Sequence, residues 1–231
     1  MHLSAVIFDL DGVLVDSEPA QLAAWNDVLA QYGCALDEGL VRELFGLRVR
    51  DSARKIVDYF HLPCDPTALL AEREAVFFDS YVERITLMPG VAETLVELAA
   101  QGVPLGLATS GHRRYVERLL PLLTRYASFA AIVTGDDVAR GKPAPDCYRI
   151  AVQQLGVSPS STLAIEDAPL GIAAAKAAGL FCVAVPNRYT AELPGLALAD
   201  VLLPRLDALL PWLHRSAMLN RPSREEREHR A

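Results

Sequence analysis

Apolar residues along the chain come in two textures. Short continuous runs occupy 5–8, 104–108, 131–134, 162–165 and 181–185, with a weaker one at 201–203. Runs without polar alternation suit strands covered on both faces, as in a parallel sheet. Between them, apolar residues recur at helical spacing. Over 91–100, Leu95 and Leu98 lie opposite Glu93 and Glu97, and Gly102 follows as a stop. The same reading gives helices over 113–123, 146–155 and 170–178, the last ended by Gly179. Strand and helix in alternation imply an α/β fold with a doubly wound parallel sheet and right-handed crossovers.

The interval 17–86 breaks this rhythm, with helical spacing and no strand-like run. Helices are expected over 19–33, 37–45, 51–60 and 66–81, the first capped by Asp16 or Ser17 with Pro19 in its opening turn. This reads as an inserted helical module at 16–86. The sheet domain then takes 1–15 and 87–215, and 216–231 is a charged tail, either a frayed helix or disordered. Trp212 is expected to dock the last helix, and Trp25 to pack within the module or face the cleft.

Composition narrows the partners. The 231 residues are 52% hydrophobic and 22% charged, with a formal net charge of -7. That is globular, and it argues against nucleic acid, whose phosphates need a basic face. No apolar run reaches the ~18 residues that span a bilayer. Asp9 and Asp11 stand where a secretory leader would be apolar. Cys34, Cys64, Cys147 and Cys182 form no CxxC pair, so free thiols are expected rather than zinc. The expectation is a cytoplasmic protein, monomeric or a small homo-oligomer, with no membrane partner.

Four segments at strand ends carry candidate chemistry. Asp9 and Asp11 close the first strand, one residue apart, before Gly12. Side chains on a strand alternate, so both carboxylates can share a face, an unfavourable pairing unless a cation or donors answer it. Thr109 and Ser110 follow the second strand, where a hydroxyl and free amides suit a phosphoryl oxygen. Lys142 sits in Gly141-Lys142-Pro143-Ala144-Pro145-Asp146, a stiff stretch that can fix an ammonium. Glu166 and Asp167 end a further strand, with Gly171 nearby, and offer the hard oxygens that suit Mg²⁺. Each also fits a plain structural role: a turn pair, a helix cap, a surface lysine, an N-cap. Their common place at the carboxyl ends of strands, where doubly wound folds bind ligands, favours chemistry.

Asp9-x-Asp11-Gly12-Val13-x-x-Asp16-Ser17, with Lys142-Pro143 and Glu166-Asp167, is a specific set. On these motifs the chain resembles the haloacid dehalogenase superfamily, over nearly its whole length to about Leu213. It is most similar to the branch with a helical cap after the first strand, which includes β-phosphoglucomutase-like proteins and small-molecule phosphatases. The resemblance implies a Rossmann-like core, Mg²⁺ and an aspartyl-phosphate intermediate. It implies Asp9 as nucleophile and metal ligand, and Asp11 as general acid and base with its carbonyl on the metal. Thr109 and the Ser110 amide would hold the phosphoryl group, and Lys142 would steady it against Asp9. Asp167 would bind Mg²⁺, with Glu166 a direct or water-mediated partner. Dehalogenases of this superfamily generally lack the second aspartate, since a halide leaves without a proton, so Asp11 favours phosphoryl transfer.

The cap departs from the mutase pattern. Gln21 falls where β-phosphoglucomutase-like enzymes carry a histidine, and Phe45 and Glu74 fall where lysines hold a second phosphate. Arg48 and Arg50 could replace those lysines at the substrate, or be surface charge. His112 reads as a helix-start residue. The expected activity is hydrolysis of a small phosphorylated metabolite, such as a sugar or polyol phosphate, with a sugar-phosphate mutase as the alternative.

Overall fold

A computed structural model describes residues 3–219; most of the expected charged tail lies outside them. In chain order the elements are β1 (Ala5–Phe8), β2 (Val15–Asp16), α1 (Glu18–Leu29), α2 (Glu38–Leu44), α3 (Val49–Phe60), α4 (Pro66–Ser80) and β3 (Thr86–Leu87). There follow α5 (Val91–Ala100), β4 (Leu105–Ala108), α6 (Arg113–Thr124), β5 (Ala131–Val133), α7 (Asp146–Leu155), β6 (Thr162–Glu166), α8 (Pro169–Ala177), β7 (Phe181–Ala184), β8 (Val201–Leu202) and α9 (Leu209–Arg215).

Six strands make one parallel sheet in the order β5-β4-β1-β6-β7-β8. Every residue of β1 is buried, as its unbroken apolar run requires. Val6 and Phe8 enter a core with Leu95 and Leu98 of α5, Leu119 and Leu123 of α6, and Leu213 of α9. Ile7 points the other way, into a core with Tyr148 and Ala151 of α7 and Ile172 and Ala175 of α8. That is the two-faced burial expected of a doubly wound sheet. The chain runs from β1 outward through β4 and β5, then returns to β6 on the other side of β1. The switch point therefore lies between β1 and β6, where such folds place their ligands.

Helices α1–α4 have a core of their own, built on Trp25, Val28, Leu29, Leu40, Ile56 and Leu69. Asp37 and Asp65 cap α2 and α4 by accepting the amides of Leu40 and Thr67. The insert leaves and returns through an antiparallel pair, Val15 against Leu87 and Asp16 against Thr86. These two-residue strands are too short to leave a periodic signal. Ser17 precedes α1 but makes no cap bond with its side chain, because its hydroxyl is used elsewhere. Trp212 of α9 stacks on Phe181, centroids 6.1 Å apart. Among the described residues no helix is long and apolar enough to cross a membrane.

Candidate active site

Asp9 leaves the end of β1, its amide bonded to the Ile165 carbonyl of β6. Lys142 Nζ stands 2.9 Å from Asp9 Oδ1 and 2.5 Å from Glu166 Oε1. Tyr148 of α7 donates to the same Glu166 oxygen at 2.5 Å. All four side chains are buried. Asp167 Oδ2 accepts from Asn187 Nδ2 at 2.9 Å, and the same amide reaches the Gly12 carbonyl at 3.4 Å. Gly12 has φ +75°, and a Cβ there would collide with Asn187, Asp167 and Glu18. Only glycine meets both demands. The sheet thus brings Asp9, Lys142, Glu166 and Asp167 together from positions up to 158 apart in number.

Carboxylates outnumber cations here, and their protonation reflects it. Burial, then the charge of Asp9, raises the pKa of Asp11. Burial, then Glu18 and Asp9, pushes Asp167 well above the usual carboxylate range. Burial lifts Glu166 to about 7 against the pull of Lys142. Burial lifts Glu18 to about 8, with Asp11 adding to it. Burial opposes the Lys142 ammonium, yet Asp9 and Glu166 hold its pKa above the ordinary lysine value. Oxygens of Asp9, Glu166 and Asp167 all lie within 4.8 Å of one another. Glu166 Oε2 is buried with no hydrogen-bond partner. Hard oxygens, surplus negative charge and an orphaned acceptor fit a small divalent cation.

Above this cluster lies a cavity of about 130 Å³ between the sheet and the insert. Asp9, Asp11 and Asp167 form part of its lining, with Gln21, Trp25, Phe45, Val49, Ser52 and Arg73 from the insert. Ser110 and His112 close it from the β4–α6 side. Thr109 is buried and its Oγ1 accepts the Gly111 amide at 3.0 Å. Ser110 Oγ donates to the Gly46 carbonyl of the insert at 2.9 Å. His112 caps α6 by accepting the Tyr115 amide at Nδ1, and its Nε2 stands 2.9 Å from Glu74 Oε1.

Gln21 lies on the cavity wall, accepting from Arg73. Arg48 and Arg50 do not line it. Arg48 precedes α3 and turns back to Asp51 at 2.7 Å and to the Ala139 carbonyl of the sheet domain at 3.2 Å. Arg50 is exposed one position beyond Val49, which takes the inward face of the turn.

Three residues of the site escaped sequence reasoning. Arg73 is buried, stacked over Phe77 and Trp25, with centroid distances of 4.4 and 5.4 Å. Its Nε has no partner, and among the described residues no carboxylate pairs with it. Burial lowers its pKa to about 10. The signal was present: Leu69, Arg73 and Phe77 share one buried stripe of α4, and an arginine there is out of place. Tyr115 reaches from α6 to Asp11, and Asn187 reaches from the loop after β7 to Asp167. Neither carried a local signal.

The model of the haloacid dehalogenase-like hydrolase family matches residues 6–185. Validoxylamine A 7'-phosphate phosphatase of Streptomyces hygroscopicus subsp. limoneus is 37% identical over 209 residues, covering 90% of this chain and 96% of the relative. Beta-phosphoglucomutase of Bacillus subtilis (strain 168) is 33% identical over 190 residues, covering 79% and 83%. The crystal structure of CbbY from Rhodobacter sphaeroides in complex with phosphate superimposes with a TM-score of 0.79 at 30% identity, covering 90% of this chain and 96% of that one. With the sheet order and the carboxylate–lysine cluster already described, these likenesses agree: the chain belongs to the haloacid dehalogenase-like hydrolase family.

Proposed function

We propose that the protein is a Mg²⁺-dependent phosphatase that hydrolyses the monoester of a small polyhydroxylated metabolite through an aspartyl phosphate on Asp9. One observation carries the reading. Asp9 is paired with a fixed ammonium, beside a second carboxyl at Asp11, on the floor of the cavity between the sheet and the insert. Mg²⁺ held by Asp9, Asp167 and Glu166, with the Asp11 carbonyl, would offset the charge of the phosphoryl oxygens. A carboxylate nucleophile divides a very slow reaction into two displacements. An Asp9 oxygen attacks phosphorus while Lys142 lowers the repulsion between the anions. Thr109 and the Ser110 amide bind phosphoryl oxygens. Asp11, whose pKa is raised, gives a proton to the leaving oxygen and later takes one from the attacking water. The insert excludes bulk water.

The cavity supports a small polar substrate. Trp25, Phe45 and Val49 offer apolar walls, and Gln21, Ser52, Arg73 and His112 offer groups for hydroxyls or a second anionic group. A mutase must retain a bisphosphate while it turns round. Phe45 is apolar, Glu74 is paired with His112, and Arg48 is turned away, which favours release over retention. The four free cysteines fit a reducing compartment such as the cytoplasm.

The test is inorganic phosphate release from a panel of sugar and polyol phosphates with Mg²⁺, with EDTA as control. Release that EDTA and Asp9→Asn both abolish is the expected result. Turnover retained by Asp9→Asn overturns the mechanism. Isomerisation of a hexose 1-phosphate with a trace of bisphosphate, without free phosphate, replaces the hydrolase by the mutase.

A further inference from the structure

Asp11 is held from one side only. Tyr115 Oη and Ser17 Oγ both donate to its Oδ1, the serine at 2.5 Å. Among the described residues nothing bonds Oδ2, and Asp11 lines the cavity. The two donors come from different elements: Ser17 from the turn into α1, Tyr115 from the first turn of α6. The tyrosine is locked in place. It is buried, its ring packs on Phe77 of the insert with centroids 5.7 Å apart, and Gly111 leaves room for it. A Cβ at Gly111 would come within 2.8 Å of the Tyr115 ring. A phenol is ordinarily protonated at neutral pH, so Tyr115 is a donor here.

A hydroxyl oxygen of a carboxylic acid is a poor acceptor for two further donors, whereas the carbonyl oxygen has two lone pairs for them. We propose that Tyr115 and Ser17 are positioning residues that fix Oδ1 of Asp11 as the carbonyl oxygen, so that the transferable proton resides on Oδ2, facing the leaving group. This rests on the phosphatase reading above. In the first step the Oδ2 proton passes to the bridging ester oxygen. The P–O bond breaks with its electron pair on that oxygen, and the Asp9–phosphorus bond forms. The protons of Tyr115 and Ser17 stay where they are. In the second step Oδ2 takes a proton from water as the water oxygen bonds to phosphorus; the P–O bond to Asp9 breaks with its electron pair returning to the Asp9 carboxylate, and inorganic phosphate leaves.

The experiment compares kcat/KM on two esters: p-nitrophenyl phosphate, whose phenolate leaves without a proton, and the sugar or polyol phosphate that the wild-type enzyme turns over fastest, whose alkoxide needs one. Tyr115→Phe keeps the ring and removes the hydroxyl. It should lower kcat/KM on the alkyl ester about 10- to 100-fold, part of the 10²–10⁴ that general acid catalysis supplies, and on the aryl ester by no more than about threefold. Ser17→Ala should show the same asymmetry, and it reads the clamp should Tyr115→Phe fail to fold. Equal losses on both esters would make the pair a packing feature and overturn the proposal, as would no loss on either. Asp11→Asn is run beside them. An asymmetric loss in Asp11→Asn with a symmetric one in Tyr115→Phe rejects the clamp and leaves the phosphatase reading standing. A symmetric loss in Asp11→Asn rejects the acid–base role of Asp11 and the clamp with it.

Discussion

Gly171 sets two magnitudes against each other. It lies in the first turn of α8, buried, directly behind the Glu166 carboxylate. On helix propensity alone, Gly171→Ala should stabilise by up to about 1 kcal/mol. A Cβ there, however, would fall closer than 3.0 Å to Cδ and both oxygens of Glu166. Ordinary carbon contacts begin near 3.5 Å, so the carboxylate must retreat by about 1 Å. It cannot do so freely, because Oε1 receives Lys142 and Tyr148 at 2.5 Å each. Breaking a buried pair typically costs about 3–5 kcal/mol. The net is a destabilisation of about 2–4 kcal/mol, or about 5–15 °C in Tm at this size. Lys142 also holds Asp9, so a displacement of ~1 Å should lower kcat about 100-fold or more. Thermal unfolding by circular dichroism and turnover on the best substrate measure both. An alanine variant that unfolds at or above the wild-type temperature with undiminished kcat would show that Glu166 is not confined as described.

Two further outcomes follow from buried charge. Glu18 has a folded pKa of about 8 against 4.5 ordinarily, so the folded state holds a proton that the unfolded state releases. Its cost is absent below pH 4.5 and grows up to about 1.4 kcal/mol per pH unit until pH 8. Without added metal, Glu18→Gln should match the wild-type Tm near pH 4.5 and exceed it increasingly toward pH 8; parallel profiles would reject the shift. Arg73→Met should lower kcat/KM on a polyol phosphate about tenfold or more through a lost charged hydrogen bond, while Tm holds or rises because a desolvated cation is gone. Unchanged kinetics would remove Arg73 from the substrate wall.

The sheet was legible because each strand is an unbroken apolar run, and β1 shows why: Val6 and Phe8 face one core and Ile7 the other. The carboxylate–lysine cluster was legible because its acids sit at the ends of β1 and β6, and Lys142 stands between Gly141 and Pro143 in the loop before α7. What stayed hidden is contact between helices. Ser17 looked like a cap, since serine before a proline-started helix usually is one, but a nearby carboxylate outbid the backbone for its hydroxyl. The sequence left Arg48 open between a substrate ligand and surface charge; in the structure it bonds Asp51 and the Ala139 carbonyl and does not line the cavity. Tyr115 and Asn187 act across 104 and 20 positions, and no local pattern encodes such a reach.

The Asn187 amide joins the Asp167 carboxylate to the Gly12 carbonyl, tying the loop after β1 to the loop after β7. The acidic cluster proposed to hold Mg²⁺ is thereby completed late in synthesis. A nascent polypeptide halted after residue 180 would contain every acidic group of the cluster, yet lack both β7 and the clip that aims Asp167. If the cluster takes a divalent ion as proposed, a ribosome-bound fragment should be blind to it until the final third of the sheet emerges.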